Sequence, residues 1–281
     1  MIPIAQLKND MEFYKSLGSL IEVLKLIAAA QYQSLEKKIK TYAVYLEALS
    51  DVFHWLDVQR VHHPFISQTD KPTGIVVVTT DAGLLGGLNA LVMNKALSLL
   101  EKGGGKMIII GKRGQLYVET RKVIFANFPG VVDEQRLEQA LKLRDYIVES
   151  VLSGRLGKVI IVFPRALSFT VQRIETIQVL PFIPETKKRM TNVQMSEIIM
   201  ESHFGDIVEY MIYLWLGQKI FEIFGMSRLA EQAARFMHLE NCTQRIKELD
   251  KKLRFQYFRA RHEVIDQNMR ELFAARLLHE H

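Results

Sequence analysis

Cysteine is almost absent from this sequence, because Cys242 is the only one among 281 residues. A single cysteine excludes an internal disulfide framework and fits a reducing compartment. Long apolar runs are missing as well. The most apolar stretch, 207–216, is far shorter than the roughly 20 residues that a membrane-spanning helix needs. We therefore expect any association with a membrane to come through partner proteins.

A strong excess of one charge is also missing. The net charge of +6 and the pI near 9.2 suit a long solvated helix pair or acidic partner surfaces. Because this charge is modest and spread along the chain, these values do not favour a nucleic-acid partner. The first residues lack the features of a signal peptide or a transit peptide.

The sequence offers no recognisable catalytic arrangement. No Ser-His-Asp triad, Cys-His pair or carboxylate constellation can be assembled from it. His62 and His63 could bind a metal, as could His279 and His281, but no further Cys or His lies near either pair. The second pair also lies at an end that frays easily. We therefore predict no catalytic residue, no metal site and no cofactor.

Apolar residues repeat every seven positions near the N-terminus. One register contains Leu7, Tyr14, Ile21, Ala28, Leu35, Tyr42 and Leu49. The second contains Met11, Gly18, Lys25, Tyr32, Ile39, Leu46 and Phe53. Only Gly18 and Lys25 interrupt this apolar seam. The period predicts a helix from about residue 4 to 60, roughly 80 Å long, that buries its seam against another long helix.

A weaker seam of the same period lies near the C-terminus. Its members are Leu239, Ile246, Leu253 and Ala260, with Phe236, Tyr257 and Val264 in the offset register. Thr243 and Asp250 interrupt it. We predict that the two terminal helices form a long antiparallel coiled coil. The alanines at 28–30 on the first seam would allow close helix approach, or form a smooth section enclosed by other proteins, and both interpretations stay open.

The segment between these helices has the pattern of an α/β domain. Four short apolar runs predict strands, at 75–80, 107–110, 159–163 and 170–180. Helical patterns begin near Leu88 and Asp133, and Asp133 could cap the second of these helices. Strands that alternate with helices indicate a Rossmann-like domain with a mainly parallel sheet. The predicted parts are an N-terminal coiled-coil helix at 1–63, the α/β domain at 74–190 and a C-terminal helix at 191–281.

A glycine-rich segment, 80–89, follows the first predicted strand and opens a helix. Backbone amides at a helix start can bind phosphate, so nucleotide binding is one interpretation. No Lys-Ser or Lys-Thr pair follows, however, and the glycine spacing differs from Gly-x-Gly-x-x-Gly. We therefore expect the glycines to form a tight turn. Lys112 and Arg113, flanked by glycines, could hold an anion, but a solvated turn is the expected structure there.

Four segments, taken in order, resemble the gamma subunit of F-type ATP synthases. Residues 24–30 (LKLIAAA) resemble its Met-x-Met-Val-Ala-Ala-Ala/Ser stretch. Residues 80–89 (TDAGLLGGLN) resemble its Ser-Asp-Arg-Gly-Leu-Cys-Gly-Gly-Leu-Asn turn, and 110–114 (IGKRG) its Gly-Lys-Lys-Gly turn. The C-terminal helix of the family is matched by Glu231, Gln232, Ala233, Arg235, Thr243, Leu249, Leu253, Tyr257, Ala260 and Arg261.

The resemblance implies a rotor subunit that is not itself an enzyme. In the family, the paired terminal helices run through a ring of alternating alpha and beta subunits, and the α/β domain joins the epsilon subunit and the membrane c-ring. The same partners are implied here, with a peripheral position on the cytoplasmic face of a bacterial inner membrane. The family positions carried over as candidates for partner contact are Leu24, Ala28, Gly86, Gly87, Asn89, Arg235, Thr243 and Arg261.

Other interpretations stay open at this point. The chain could be a gamma-like subunit of a divergent F1-like ATPase with another task, since Ala82, Gln244 and Arg245 depart from the family pattern. It could also be a nucleotide-binding α/β enzyme with helical extensions. A coiled-coil scaffold is a further possibility, but it leaves the α/β domain unexplained.

Overall fold

The computed structural model describes residues 3–55, 63–67, 70–119, 125–183 and 203–279, without the side chains of 40–55, 125 and 274–279. The helices are α1 (Ile4–Trp55), α2 (Leu88–Gly103), α3 (Lys112–Glu119), α4 (Arg136–Leu152) and α5 (Phe204–His279). The strands are β1 (Thr73–Val78), β2 (Lys106–Ile110), β3 (Phe125–Phe128), β4 (Lys158–Ala166) and β5 (Gln172–Leu180). Some predictions concern residues outside this description. They are the end of the first helix near residue 60, the start of the C-terminal helical part near residue 191, and the possible metal ligands His62 and His281.

Two compact units make up the chain. One consists of Met1–Ala28 with Phe236–His281, and the other of Ala29–Arg235. We call them the helix-pair unit and the sheet unit. Helices α1 and α5 contribute residues to both. The three-part division at 1–63, 74–190 and 191–281 stays a prediction.

The predicted pairing of the terminal helices is confirmed within the helix-pair unit. Lys25 forms an ion pair with Glu240 at 2.9 Å, and a Cβ placed on Gly18 would lie 3.6 Å from Ile246. Because the residue number of the contact on α5 falls as the residue number on α1 rises, the helices are antiparallel. On α1 the buried or half-buried positions follow both predicted registers, at Leu7, Met11, Tyr14, Gly18, Ile21, Lys25 and Ala28.

On α5 the seam includes the two residues that seemed to interrupt it. The buried or half-buried positions run Leu239, Thr243, Ile246, Asp250, Leu253, Tyr257 and Ala260, in alternating steps of four and three residues. Thr243 is 7% exposed, and its hydroxyl donates to the carbonyl oxygen of Leu239 at 3.0 Å. Asp250 accepts a hydrogen bond from Arg254 at 2.9 Å. Polar seam residues are tolerated because each finds a partner on its own helix.

The sheet unit contains the predicted, mainly parallel sheet. Its strand order is β3-β2-β1-β4-β5. The first four strands are mutually parallel, and β5 returns antiparallel to β4. One face, with Val76 and Ile108, packs in a core that includes Ile147 of α4 and Ile212 of α5. The other face, with Val77 and Ile109, packs against α2.

Two expectations about local structure in this unit were wrong. Asp133 does not cap α4, which is preceded by Gln135 without a side-chain cap. The Asp133 carboxylate instead accepts hydrogen bonds from Arg228 at 3.2 and 3.4 Å. The turn expected at 111–114 is the start of helix α3, after Gly111 with φ of 96°. Strand β3 and helix α3 were not predicted.

No helix among the described residues is both long enough and apolar enough to cross a bilayer.

Candidate partner-binding surfaces

The helix-pair unit has a lysine at a seam position, and two carboxylates balance its positive charge. Lys25 lies between Glu22 at 2.8 Å and Glu240 at 2.9 Å, and only 14% of its side chain is exposed. Hydrogen bonds to Glu22 and then Glu240 raise the pKa of Lys25. The Lys25 ammonium in turn lowers the pKa of Glu240. Lys25, which interrupts the apolar seam in the sequence, therefore forms an ion pair between the two helices.

This ion pair predicts a defined pH dependence. Because folding lowers the pKa of Glu240, its contribution is complete above the ordinary value of 4.5 and is lost as the pH falls through the lower folded value. Because folding raises the pKa of Lys25, its contribution is complete below 10.5 and is lost above the raised value. The difference in unfolding free energy between wild type and Glu240→Gln should be constant between these limits and shrink in acid. Urea titrations across pH measure it.

The control for this prediction removes the lysine. In a Lys25→Met background, Glu240→Gln should change stability little at any pH, because the carboxylate no longer has its interhelical partner. An unchanged Glu240→Gln effect in that background would show that the pair does not hold the helices together.

A second apolar stripe on each helix of this unit faces solvent. On α1 it contains Phe13, Leu20, Val23 and Ile27, and on α5 Phe258, Ile265, Met269 and Leu272. We call these residues the outer apolar stripes, and each is between 45% and 66% exposed. Steps of seven, four and three residues place each set on one helix face. Large exposed apolar surfaces mark contacts with other proteins, so this unit has the surface of a buried component of an assembly.

The glycine turn between β1 and α2 is held by backbone geometry. Gly86 and Gly87 have φ of 59° and 96°, a region that glycine adopts without strain, and Leu84 between them and β1 has φ of 63°. The Asn89 amide donates to the Thr80 hydroxyl at 2.9 Å, and its oxygen accepts from the Thr80 amide at 3.3 Å. Asn89 thus ties the first turn of α2 to the end of β1. Gly86 and Gly87 are exposed, so their backbone is available to a partner.

A carboxylate of the chain itself occupies the neighbouring helix start. Asp81 accepts a hydrogen bond from the Lys112 amide at 2.8 Å, at the N-terminus of α3. A Cβ placed on Gly130 would lie 2.5 Å from the Asp81 carboxyl carbon, so the group is packed against that loop. The amide end of α3, where an anion would bind, therefore already holds one. Lys112 and Arg113 are exposed beside it.

The candidates on α5 lie in three different environments. Arg235 donates to Gln232 at 2.7 Å and to Glu231 at 2.6 Å on its own helix. Thr243 is buried in the helix pair. Arg261 is exposed and forms no ion pair with any residue in the described part of the chain. Of these three side chains, Arg261 is the one free to contact another protein directly.

The two candidates on α1 are not equally accessible either. Leu24 is half-buried, whereas Ala28 is only 1% exposed. The structure thus places Ala28 and Thr243 within the molecule and leaves the exposed glycine turn and Arg261 as open surface.

A buried ionic cluster on α5 was missed in the sequence. The Glu231 side chain is 3% exposed and accepts hydrogen bonds from Arg228 at 2.5 Å and Arg235 at 2.6 Å. Burial by itself lowers the pKa of Arg228, but Glu231 and Asp133 outweigh it, so that the pKa is raised. The spacing Arg-x-x-Glu-x-x-x-Arg within an apolar helix segment was the available signal, since such residues face one another on a helix.

Comparison with known proteins agrees with this architecture. A family model described as ATP synthase matches residues 4–276. The ATP synthase gamma chain of Chlorobaculum tepidum is 28% identical, covering 98% of both chains, and that of Clostridium acetobutylicum is 24% identical, covering 95% of this chain and 94% of the relative. A chain from the rotor of the Euglena gracilis mitochondrial ATP synthase has a TM-score of 0.69 at 17% identity, covering 93% of this chain and 98% of that one. The protein therefore belongs to the ATP synthase gamma-chain family.

Proposed function

We propose that this chain is the central-stalk rotor subunit of a rotary F-type ATP synthase or ATPase. The observation that carries the proposal is the antiparallel helix pair, with a closed seam inside and apolar stripes outside, in a chain matched along residues 4–276 by the family. Such a pair is stiff because its seam is filled. It is asymmetric because its outer faces carry different residues. Turning it inside a ring of subunits presents a different face to each catalytic site.

We further propose the partners and the place of work. The alpha and beta subunits would enclose the outer apolar stripes, and the sheet unit would join the epsilon subunit and the c-ring of the membrane sector. Structural neighbours come from assemblies described as a rotor from Euglena gracilis and as a central stalk and c-ring from Tetrahymena thermophila. The chain would then lie on the cytoplasmic face of a bacterial inner membrane, held there by its partners.

In this proposal the chain has no catalytic site and binds no nucleotide. Support comes from the β1–α2 turn, whose glycines allow the positive φ angles of the turn, and from Asp81, whose carboxylate occupies the N-terminus of α3. ATP would be made or hydrolysed in the ring, and the contribution of this chain would be mechanical.

Purification from the native host tests the proposal. A tagged chain should carry with it ATP synthase alpha, beta and epsilon subunits and c subunits, identified by mass spectrometry. The complex should hydrolyse ATP, and the isolated chain should show no micromolar ATP affinity by calorimetry. Recovery without ring subunits, together with tight ATP binding, would favour a nucleotide-dependent enzyme instead.

Arg261 gives a prediction at the level of one residue. A charge-assisted hydrogen bond to a carboxylate contributes about 1.5 kcal/mol or more, so Arg261→Ala should lower assembly or coupled ATP synthesis about tenfold. Arg259 is the matched control. It is also exposed on α5, but its guanidinium already pairs with Glu263 at 3.1 Å. Arg259→Ala should therefore have a much smaller effect, and equal losses for the two variants would contradict a specific role for Arg261.

A further inference from the structure

Helix α5 has two buried glycines in its interior, where glycine is unfavourable for helix formation. Gly217 and Gly225 lie within its interior, and glycine is a weaker helix former than alanine at such positions. A Cβ on Gly217 would come 3.1 Å from Cδ of Arg144, and a Cβ on Gly225 would come 3.0 Å from Nη1 of Arg136. Both arginines belong to α4. The glycines therefore make room for two arginine side chains that cross between the helices.

Each arginine also stacks on an aromatic ring of α5. The Arg144 guanidinium carbon lies 3.7 Å from the ring centroid of Tyr213, and that of Arg136 lies 4.2 Å from the ring centroid of Phe221. Arg144 also donates to the Tyr213 hydroxyl oxygen at 2.5 Å and to Asp145 at 3.0 Å. Both arginines are buried, at 8% and 5% exposure for Arg144 and Arg136. A guanidinium over an aromatic ring gives a directional contact that an aliphatic side chain cannot.

These contacts form a repeat. In both cases the aromatic residue precedes the glycine by four positions, as Tyr213 precedes Gly217 and Phe221 precedes Gly225. The two arginines on α4 are eight positions apart, and so are the two glycines on α5. Because the helices are antiparallel along this face, the same arginine–aromatic–glycine contact occurs twice. A third tie, from Arg228 of α5 to Asp133 at 3.2 Å, lies beyond the second contact.

We propose that this repeated contact is the joint that keeps α5 from turning about its own axis against α4 within the sheet unit. Each guanidinium fills the space between an aromatic ring and a glycine of α5. If α5 rotated about its own axis, neighbouring side chains of α5 would collide with these guanidinium groups. The torque-bearing role of this joint rests on the proposed rotor function. The rigidity itself does not, and it can be measured in the isolated chain.

The first experiment uses the full-length chain alone. Spin labels at exposed Leu137 of α4 and Tyr210 of α5, in a Cys242→Ser background, report the spread of distances between the helices. Arg144→Met should widen that distribution about twofold without stranding a buried polar group, since the Tyr213 hydroxyl still donates to Asp145 at 2.9 Å. Arg144→Lys keeps the charge but loses the planar stack, and it should fall between wild type and methionine.

Glycine variants supply the matched control. Gly217→Ala should widen the distribution, because the new Cβ displaces Arg144, even though alanine favours the helix. Gly18→Ala is the same substitution in α1, where the Cβ would meet only an ordinary contact with Ile246 at 3.6 Å, and it should leave the distribution unchanged. An unchanged distribution in both Arg144→Met and Gly217→Ala would overturn the joint.

The second experiment tests torque transmission in the assembled complex. With the ring immobilised and catalysis halted, the angular variance of a probe on the sheet unit should rise at least twofold in Arg144→Met and stay at the wild-type value in Gly18→Ala. A merely structural role would lower stability without changing this variance. A wider spin-label distance distribution in the isolated chain, together with an unchanged angular variance in the complex, would contradict only the torque-bearing role. A wild-type chain that never enters a ring would contradict the proposed function, and the spin-label result would still decide the joint.

Discussion

Proline in place of Leu253 should abolish rotation-coupled ATP synthesis while the sheet unit still folds. Leu253 lies in the seam of α5, within a helix of 76 residues. Proline there removes the hydrogen bond to the preceding turn and clashes with it, at a cost of about 3 kcal/mol or more. A kinked helix inside a ring loses the geometry that would carry rotation. Ion-driven ATP synthesis by the reconstituted complex measures the loss.

Two measurements separate this effect from general unfolding. Leu253→Ala removes the seam side chain but keeps the helix backbone, so it should retain a substantial part of the coupled activity. Hydrogen exchange at β1 and β2 in Leu253→Pro should match that of wild type, because neither strand belongs to the helix-pair unit. Wild-type ion-driven ATP synthesis in the proline variant would show that this part of α5 is not needed to transmit rotation.

Loss of Glu231 should destabilise the chain far more than loss of an exposed glutamate. Glu231→Ala leaves Arg228 and Arg235, whose side chains are 20% and 17% exposed, without their shared carboxylate. Arg228 still pairs with Asp133, but Arg235 keeps its charge without a carboxylate, and breaking a buried ion pair from one side costs about 3 kcal/mol or more. Denaturant unfolding followed by circular dichroism measures the change in free energy.

Glu263→Ala is the control for Glu231→Ala. Glu263 also pairs with an arginine four positions away on the same helix, but its side chain is 41% exposed and that of Arg259 is 74% exposed. Exposed pairs contribute about 1 kcal/mol or less, so Glu263→Ala should be nearly neutral. Similar losses for the two variants would mean that the buried cluster adds nothing beyond a surface pair.

The features that could be predicted from the sequence depend on local periodicity. The seam of α1 repeats at a period that is visible without knowing the partner, so Leu7, Ile21 and Ala28 were placed correctly. Strands β1 and β2 are continuous apolar runs, as expected for strands with both faces covered. The pairing was predicted because a second seam of the same period lies near the C-terminus.

Two of the wrong expectations depend on contacts between distant residues. Asp81 starts helix α3 by accepting from the Lys112 amide, 31 positions away, so the glycine-flanked cations looked like a turn. Asp133 looked like a helix cap, but its partner is Arg228, 95 positions away. No local pattern reveals such pairings.

The candidate site shows the same division. The family motifs identified positions such as Thr243 and Arg261 by alignment of residue types, and these give no information on exposure. The structure places Thr243 inside the helix pair and Arg261 on its surface. The spacing of Gly217 and Gly225 was visible in the sequence, but its meaning required α4 to lie antiparallel on α5.

Single-molecule rotation tests the central claim most directly. The chain would be assembled with its alpha and beta subunits, the ring fixed to a surface and a probe attached to the sheet unit of the chain. The rotor account predicts that ATP drives continuous rotation of the probe in one direction, at a rate that follows ATP hydrolysis. A complex that assembles and hydrolyses ATP while the probe stays fixed relative to the ring would contradict it.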